Sequence, residues 1–255
     1  MKVITWNVNG IRARQHELVA LIEAEQPDLV CLQEIKADPD KIPPLLVTAD
    51  GYGCCWHGAG GYSGVALLVR HSFFTEPPAF HHPSFDVEHR VVAARIGPML
   101  VASVYVPNGG KDYEAKLRFL EGLQGWIEET NRSGQSVLLS GDLNVAREER
   151  DVHPKERKPN QIGTRPAERA LLGRLFGAGV IDVGRALDPD NDALFTWWAP
   201  WRNLRQRNIG WRIDYVLASA DLAARAVRAD SLREFGTSDH APVVTVFADP
   251  AVEAS

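Results

Sequence analysis

Apolar and polar positions follow two rhythms along this chain, and the rhythm changes repeatedly. The short apolar run Val3 to Val8 predicts a strand, the stretch after it places Leu18, Leu21 and Ile22 on one helical face, and Leu29 to Leu32 predicts a second strand. Four strand-like runs then follow with only Gly- and Pro-rich turns between them: Tyr52 to His57, Val65 to Val69, Val91 to Ile96 and Met99 to Val106. A helix is expected over Tyr113 to Thr130, its core face carrying Leu117, Leu120, Leu123 or Gln124, and Ile127, and Ser136 to Ser140 is the next strand. A further helix starts after Thr164, read as its N-cap, with Pro166 in the first turn and Glu168 near the reach-back position, and it presents Leu171, Leu172, Leu175 and Phe176. Strands are expected at Phe195 to Trp198, Ile213 to Ala218 and Val243 to Phe247, whereas Arg147 to Gly163 shows neither period and reads as a long loop. Strand runs without helices between them, inside an otherwise alternating pattern, predict an α/β fold with two sheets packed on each other and helices outside.

Length and composition narrow this picture. At 255 residues, the expectation is one domain over residues 1–248 and a frayed tail over 249–255. Hydrophobic residues make up 45% and charged residues 24%, which excludes a disordered or fibrous chain. No apolar run approaches the roughly 18–20 residues of a membrane span, so no membrane partner is expected. Met1 to Val8 has neither a basic nor an apolar leader region, and three cysteines cannot complete a disulfide set. Both features point to the cytosol, with Cys31 acting as a small buried hydrophobe. A net charge of −5 argues mildly against non-specific binding of a polyanion.

The candidate chemistry sits at strand edges. Asn7 and Asn9 follow the first strand, Glu34 the second, Asp142 and Asn144 the strand ending near Leu139, while Asp239 and His240 precede the last strand. Any one of these alone reads as a turn residue; together, on one rim of a sheet, they form a cleft held by rigid elements. Hard oxygen ligands without cysteine suit Mg²⁺, or Mn²⁺ in its place, rather than structural zinc. Asp142 is the candidate to deprotonate a water, and Asp214 is available to orient His240. A metal, a carboxylate base and an oriented histidine point to hydrolysis of a phosphate ester.

The motifs WNVNG (Trp6 to Gly10), LQEIK (Leu32 to Lys36), GYSGVALL (Gly61 to Leu68), YVPNG (Tyr105 to Gly109), GDLNVA (Gly141 to Ala146), GWRIDYVL (Gly210 to Leu217) and SDHAPV (Ser238 to Val243) stand in this order. In that order the chain resembles the exonuclease III-type abasic-site endonucleases of the endonuclease/exonuclease/phosphatase superfamily. The resemblance covers almost the whole chain and implies a four-layered α/β sandwich, two mixed sheets flanked by helices. It implies Glu34 as the main metal ligand, supported by Asn7 and Asp239, with Asp142 and Asn144 also at the metal. Asp142 would activate the water, Asn144 orient the phosphate, Tyr105 assist at the phosphate or leaving oxygen, and His240 with Asp214 stabilise the charge. The opposite assignment of base and acid among Asp142, Tyr105 and His240 stays open. Asn9 stands where some members carry Asp, which weakens a second metal site.

For substrate, the resemblance implies duplex DNA with abasic sites or blocked 3′ ends, cut by a protein that acts as a monomer. Gly61, Tyr62, Arg90, Asn108 and Lys111 match positions that hold the DNA backbone; Lys111 and Trp201 match positions that push into the duplex. Trp197, Trp211 and Ile213 match a pocket for a base-less sugar. The segment Phe195 to Ile213 also holds four of the seven tryptophans with Arg202, Arg205, Arg207 and Arg212, a local basic and aromatic footprint suited to nucleic acid. Two rivals remain at this point: a phosphatase or phospholipase of the same superfamily, and a catalytically silent nucleic-acid-binding domain.

Overall fold

The central feature of the fold is a strand–helix–strand unit that occurs twice. β1 (Lys2–Asn7) leads through α1 (Ile11–Glu25) into the parallel β2 (Leu29–Gln33). After a short α2 (Pro44–Val47), β3 (Tyr52–Ala59) and β4 (Tyr62–Arg70) pair antiparallel, and β5 (Phe80–His81), β6 (Val91–Ile96) and β7 (Met99–Tyr105) follow. The long α3 (Tyr113–Arg132) carries the chain to β8 (Ser136–Asp142), parallel to β7. The remainder is α4 (Pro166–Gly177), β9 (Val180–Asp182), α5 (Val183–Leu187), β10 (Asp214–Ser219), α6 (Ala220–Ala223), β11 (Ala226–Ser231) and β12 (Val243–Phe247). The computed structural model describes residues 1–47 and 51–249, so the expected tail over 249–255 falls almost wholly outside the described residues.

Two six-stranded mixed sheets result, ordered β11-β12-β1-β2-β4-β3 and β5-β6-β7-β8-β10-β9. Their facing surfaces share one apolar layer, with Val3, Cys31, Val65 and Leu67 from the first sheet against Val92, Val101, Leu138 and Val216 from the second. α1 covers the outer face of the first sheet through Ile11, Leu18 and Leu21; α3 and α4 cover the second through Leu120, Leu123, Ile127, Leu172 and Leu175. This is the four-layered sandwich the sequence pattern and the resemblance predict. Cys31 lies in the middle layer, where burial pushes its thiol up to about 12 and leaves it inert near neutrality.

The differences from the sequence reading have local causes. Arg165, not Thr164, caps α4, because the Glu168 carboxylate reaches back to the N–H groups of both Gly163 (2.6 Å) and Arg165 (2.8 Å). Phe195 to Trp198 forms no strand; Trp197 makes only single bridges, to Trp211 and to His240, and its neighbours pack into their own apolar cluster. Strands β5, β9 and β11 escape the pattern because they are two or three residues long or, in β11, exposed and charged at a sheet edge. The 147–163 segment has no long element, yet it is anchored. Asp151 accepts from Arg185 and Arg212 (2.8 Å each), and Arg212 forks onto both oxygens of Asp182 at 3.0 and 2.7 Å.

Candidate active site

Strand register explains why residues far apart in sequence meet. Asn7 ends β1 beside Gln33 of β2, Tyr105 ends β7 beside Asp142 of β8, and Asp214, the first residue of β10, pairs with Asp142. β12 runs antiparallel to β1, so Asp239 and His240, just before it, arrive at the same rim. Each parallel pair therefore delivers its C-terminal ends, and each antiparallel neighbour its N-terminal end, to one edge of the sandwich. Three non-glycine residues there, Asn9, Glu34 and Asn144, hold left-handed backbone with φ of 44°, 51° and 52°. Such strain gathers at functional sites, where the surroundings enforce it. Gly141 is required for a different reason: a Cβ there would lie 1.8 Å from the carbonyl oxygen of Val104 on the adjacent strand.

The side chains interlock at this rim. The Asn7 amide donates to Glu34 Oε1 and to Asp142 Oδ2, both at 3.0 Å, while its own oxygen accepts the Asn9 N–H at 3.0 Å. Asn7 therefore faces the two carboxylates with its nitrogen. Tyr105 donates its hydroxyl to Glu34 Oε1 at 2.8 Å. Asn144 donates its backbone N–H to Asp142 Oδ1 (2.9 Å) and its side-chain amide to Oδ2 (3.2 Å). Asp239 stands beside this group, with one oxygen accepting from Asn9 (2.8 Å) and the other from the Trp197 indole (3.0 Å). His240 donates Nδ1 to Asp214 at 2.9 Å and turns Nε2 toward Asp142, 3.9 Å away. Thr196 fixes Asp214 in turn, donating its hydroxyl at 2.6 Å.

Charge follows from this geometry. Burial works against the His240 cation, but the Asp214 charge and hydrogen bond outweigh it, with Asp142 and Asp239 adding, and lift the imidazole to about 10. Burial, then the nearby Asp214 and Glu34 charges, raise Asp142 to about 7 against the pull of His240. Glu34 goes the other way: burial is overcome by the Asn7 hydrogen bond and by Lys36, so its carboxyl is held below its usual value. Burial and the adjacent Glu34 and Asp142 push Tyr105 upward, so its phenol stays protonated.

The donor set fits a hard divalent cation. Oxygens of Glu34 and Asp142 lie within 4.8 Å of each other and of a His240 ring nitrogen, and no thiol is among them. Lys36 marks the same point: its ammonium sits 2.7 Å from Glu34 Oε2 and 2.6 Å from Asn9 Oδ1, a cation on the carboxylate that the sequence pattern assigns to a metal. The sequence reading gave Lys36 no role although it quoted the motif. It also missed Lys116, which is buried without exposure on α3. Lys116 pairs with buried Glu168 and donates to the carbonyls of Asn144 (2.7 Å) and Asn108 (3.2 Å), tying α3 and α4 to two loops of the rim. Neither signal is visible in sequence, because a lysine, whether in a loop like Lys36 or on a helix like Lys116, ordinarily faces water.

The predicted DNA contacts fall into two groups. Tyr62, Arg90, Asn108 and Lys111 line one cleft of about 670 Å³ beside the rim, with Gly61 exposed at the adjoining turn. Arg90 is 1% exposed, its guanidinium stacked 4.6 Å from the Tyr105 ring and 5.5 Å from that of Tyr62. Asn108 also donates to Asn144 at 3.1 Å, which links the cleft to the carboxylates. On the other side, Trp197, Trp211 and Ile213 pack together against Ala146 and Val152, the two indoles edge to face at 6.0 Å. Trp201 is 58% exposed and Trp198 is core. The basic footprint is smaller than the composition suggests. Arg212 is buried on Asp151 and Asp182, and Arg205 donates to the carbonyls of Arg233, Ser238 and Phe235, leaving Arg202 and Arg207 exposed.

A two-sheet sandwich with carboxylates and a carboxylate-held histidine on one rim defines a class of phosphoester hydrolases. The chain belongs to the endonuclease/exonuclease/phosphatase family, which it matches over residues 4–240. It is 32% identical to the exodeoxyribonuclease of Bacillus subtilis over 250 residues, 95% of this chain and 98% of that one. It is 31% identical over 252 residues to recombination repair protein 1 of Drosophila melanogaster, covering 97% of this chain but 37% of that longer protein. Among solved structures, an AP endonuclease from Archaeoglobus fulgidus superposes with a TM-score of 0.88 at 30% identity, covering 98% of this chain and all of the other. A 3′ phosphatase from Neisseria bound to product DNA hairpin gives 0.89, also at 30% identity, with 98% and 100% covered.

Proposed function

We propose that this chain is a Mg²⁺-dependent DNA-repair nuclease that incises duplex DNA on the 5′ side of abasic sites, leaving a 3′-hydroxyl. It also cleans blocked 3′ ends and removes 3′ nucleotides, acting as a monomer in the bacterial cytosol. The observation that carries the reading is the meeting of Glu34, Asp142 and the Asp214–His240 pair at one rim. The exodeoxyribonuclease and AP endonuclease relatives support the choice of DNA, as does the DNA-bound neighbour.

A divalent cation held at Glu34, with Asp142, Asn144, Asp239 and Asn7 close by, would supply Lewis acidity toward the phosphate oxygens. The protein groups do the rest. Asp142, with a carboxyl near 7, is matched to take the proton of a water as that water attacks phosphorus. Asn144 turns its amide into the same point and orients the phosphate. As the bond from phosphorus to the 3′ oxygen breaks, charge grows on the phosphoryl oxygens, and the His240 imidazolium, kept cationic by Asp214, stabilises it. Tyr105 retains its proton and has a hydrogen to offer the departing oxygen. Substrate choice rests on Trp197, Trp211 and Ile213, which offer an aromatic and aliphatic surface to a sugar without a base.

The test is a duplex with one abasic site, assayed with Mg²⁺ and with EDTA, beside an intact duplex and a phosphoinositide. Incision confined to the abasic strand and abolished by EDTA is expected. Release of phosphate from the lipid headgroup without DNA cleavage would move the protein to the phosphatase branch.

A further inference from the structure

Away from the carboxylate rim, the segment between β5 and β6 gathers histidines. Three of the chain's eight meet near one acid: His57 on β3 and His82 from the connecting loop lie beside Asp86, and His89 from the same loop lies against His57. His57 Nε2 lies 2.6 Å from Asp86 Oδ2. The His82 ring stacks on His57 with centroids 3.6 Å and planes 16° apart, and His89 approaches His57 edge-on at 4.7 Å. One ring nitrogen each of His57 and His82 and an Asp86 oxygen fall within 4.8 Å of one another. The reaction described above uses none of these four side chains.

Further contacts already orient the donors. His82 Nδ1 lies 2.9 Å from the Val91 carbonyl, which can only accept, so Nδ1 carries the proton and Nε2 keeps its lone pair. Asp86 is 7% exposed, and its Oδ1 accepts the N–H groups of Arg90 (2.7 Å) and Val91 (3.0 Å), leaving Oδ2 toward His57. Such second contacts on the far side of a histidine or carboxylate are how proteins aim metal ligands. Two imidazole nitrogens with a single carboxylate select borderline ions over Mg²⁺.

We propose that His57, His82 and Asp86 bind a zinc-class divalent ion, Zn²⁺, Co²⁺ or Ni²⁺, with His89 the neighbouring fourth donor, at a site separate from the hard-cation site at Glu34. The ion takes the place of the proton between His57 and Asp86, which leaves to solvent. The pair opens from 2.6 Å toward the about 3.4 Å that two ligands of a tetrahedral ion keep. His82 is exposed, with its Nδ1 held by the Val91 carbonyl and its Nε2 lone pair left as the donor. Because the other Asp86 oxygen holds the backbone of Arg90, and Arg90 stacks on Tyr105 and Tyr62, an occupied site fastens the loop that carries the cleft's arginine.

The experiment is titration of the full-length protein with Co²⁺ in excess Mg²⁺, followed by calorimetry and by Co²⁺ absorption, for wild type, His82→Ala, His57→Ala and Glu34→Gln. Wild type and Glu34→Gln should bind one Co²⁺ equally, and each histidine variant should bind it at least about tenfold more weakly. Zn²⁺ should raise the melting midpoint of wild type but not of His82→Ala, while incision in Mg²⁺ alone stays the same in His82→Ala, which shows that variant to be folded. Undiminished binding in His82→Ala, loss confined to Glu34→Gln, or no binding by wild type up to millimolar Co²⁺ would each overturn the proposal, whatever the outcome for DNA cleavage.

Discussion

Asp214→Asn removes one charge from the buried pair and leaves its size and a hydrogen-bond acceptor in place. In the folded protein His240 is raised from 6.5 to about 10, and Asp214 is the largest force raising it. At about 1.4 kcal/mol per pH unit, that rise is worth at most roughly 5 kcal/mol. Asp142 and Asp239 share in it, so loss of Asp214 alone should cost about 3 kcal/mol near neutrality, in the range for breaking a buried pair. The sign follows from linkage. Below the unfolded imidazole value of 6.5 the cation exists in both states and the full contribution is present; it fades as pH rises through about 10, where the folded state loses its proton. Urea unfolding of metal-free wild type and Asp214→Asn, in EDTA from about pH 6 to about pH 10, should show a gap that is widest at the acid end and closes toward the alkaline end. A gap that is constant across this range, or that widens with pH, would refute a cationic His240 sustained by Asp214. In single-turnover incision, Asp214→Ala and His240→Ala should be strongly non-additive, the double variant little worse than either single one.

The remaining expectations concern the other parts of the site. Asp142→Asn should lower the single-turnover rate roughly 10²–10⁴-fold with DNA binding retained, whereas Glu34→Ala should raise the Mg²⁺ concentration needed for half-maximal rate; near wild-type kcat in Asp142→Asn would remove it as the base. Trp197→Ala should slow abasic incision and raise the relative kcat/KM on nucleotides that keep their base, and an unchanged ratio between matched duplexes would place selectivity elsewhere. Gly141→Ala should destabilise by more than about 3 kcal/mol in denaturant unfolding, because backbone rather than a flexible side chain fills the space its Cβ needs.

The sequence by itself determined the layers and the cast of residues. Continuous apolar runs such as Val65 to Val69, buried on both faces, and the helical face Leu120, Leu123 and Ile127 fix which surfaces must be buried, and burial of those surfaces leaves few architectures. The polar residues placed at the ends of those runs announced a rim, since Asn, Asp and Glu next to apolar strands have a small set of uses. What tertiary structure alone decided is how each polar atom is satisfied. Arg212 and Arg205 read as part of a basic surface, yet carboxylates and carbonyls from distant segments enclose them. Asn7 reads as an oxygen ligand, yet the Asn9 N–H turns its nitrogen to the acids. Lys36 with Asn9, Lys116 with Glu168, Thr196 with Asp214 and His57 with Asp86 are pairs separated by 18 to 52 residues in the chain. Hydrophobic pattern is written locally, because a strand or helix repeats every few residues. Hydrogen-bond and charge partners are chosen by register between strands, and register exists only once the two sheets have closed on each other.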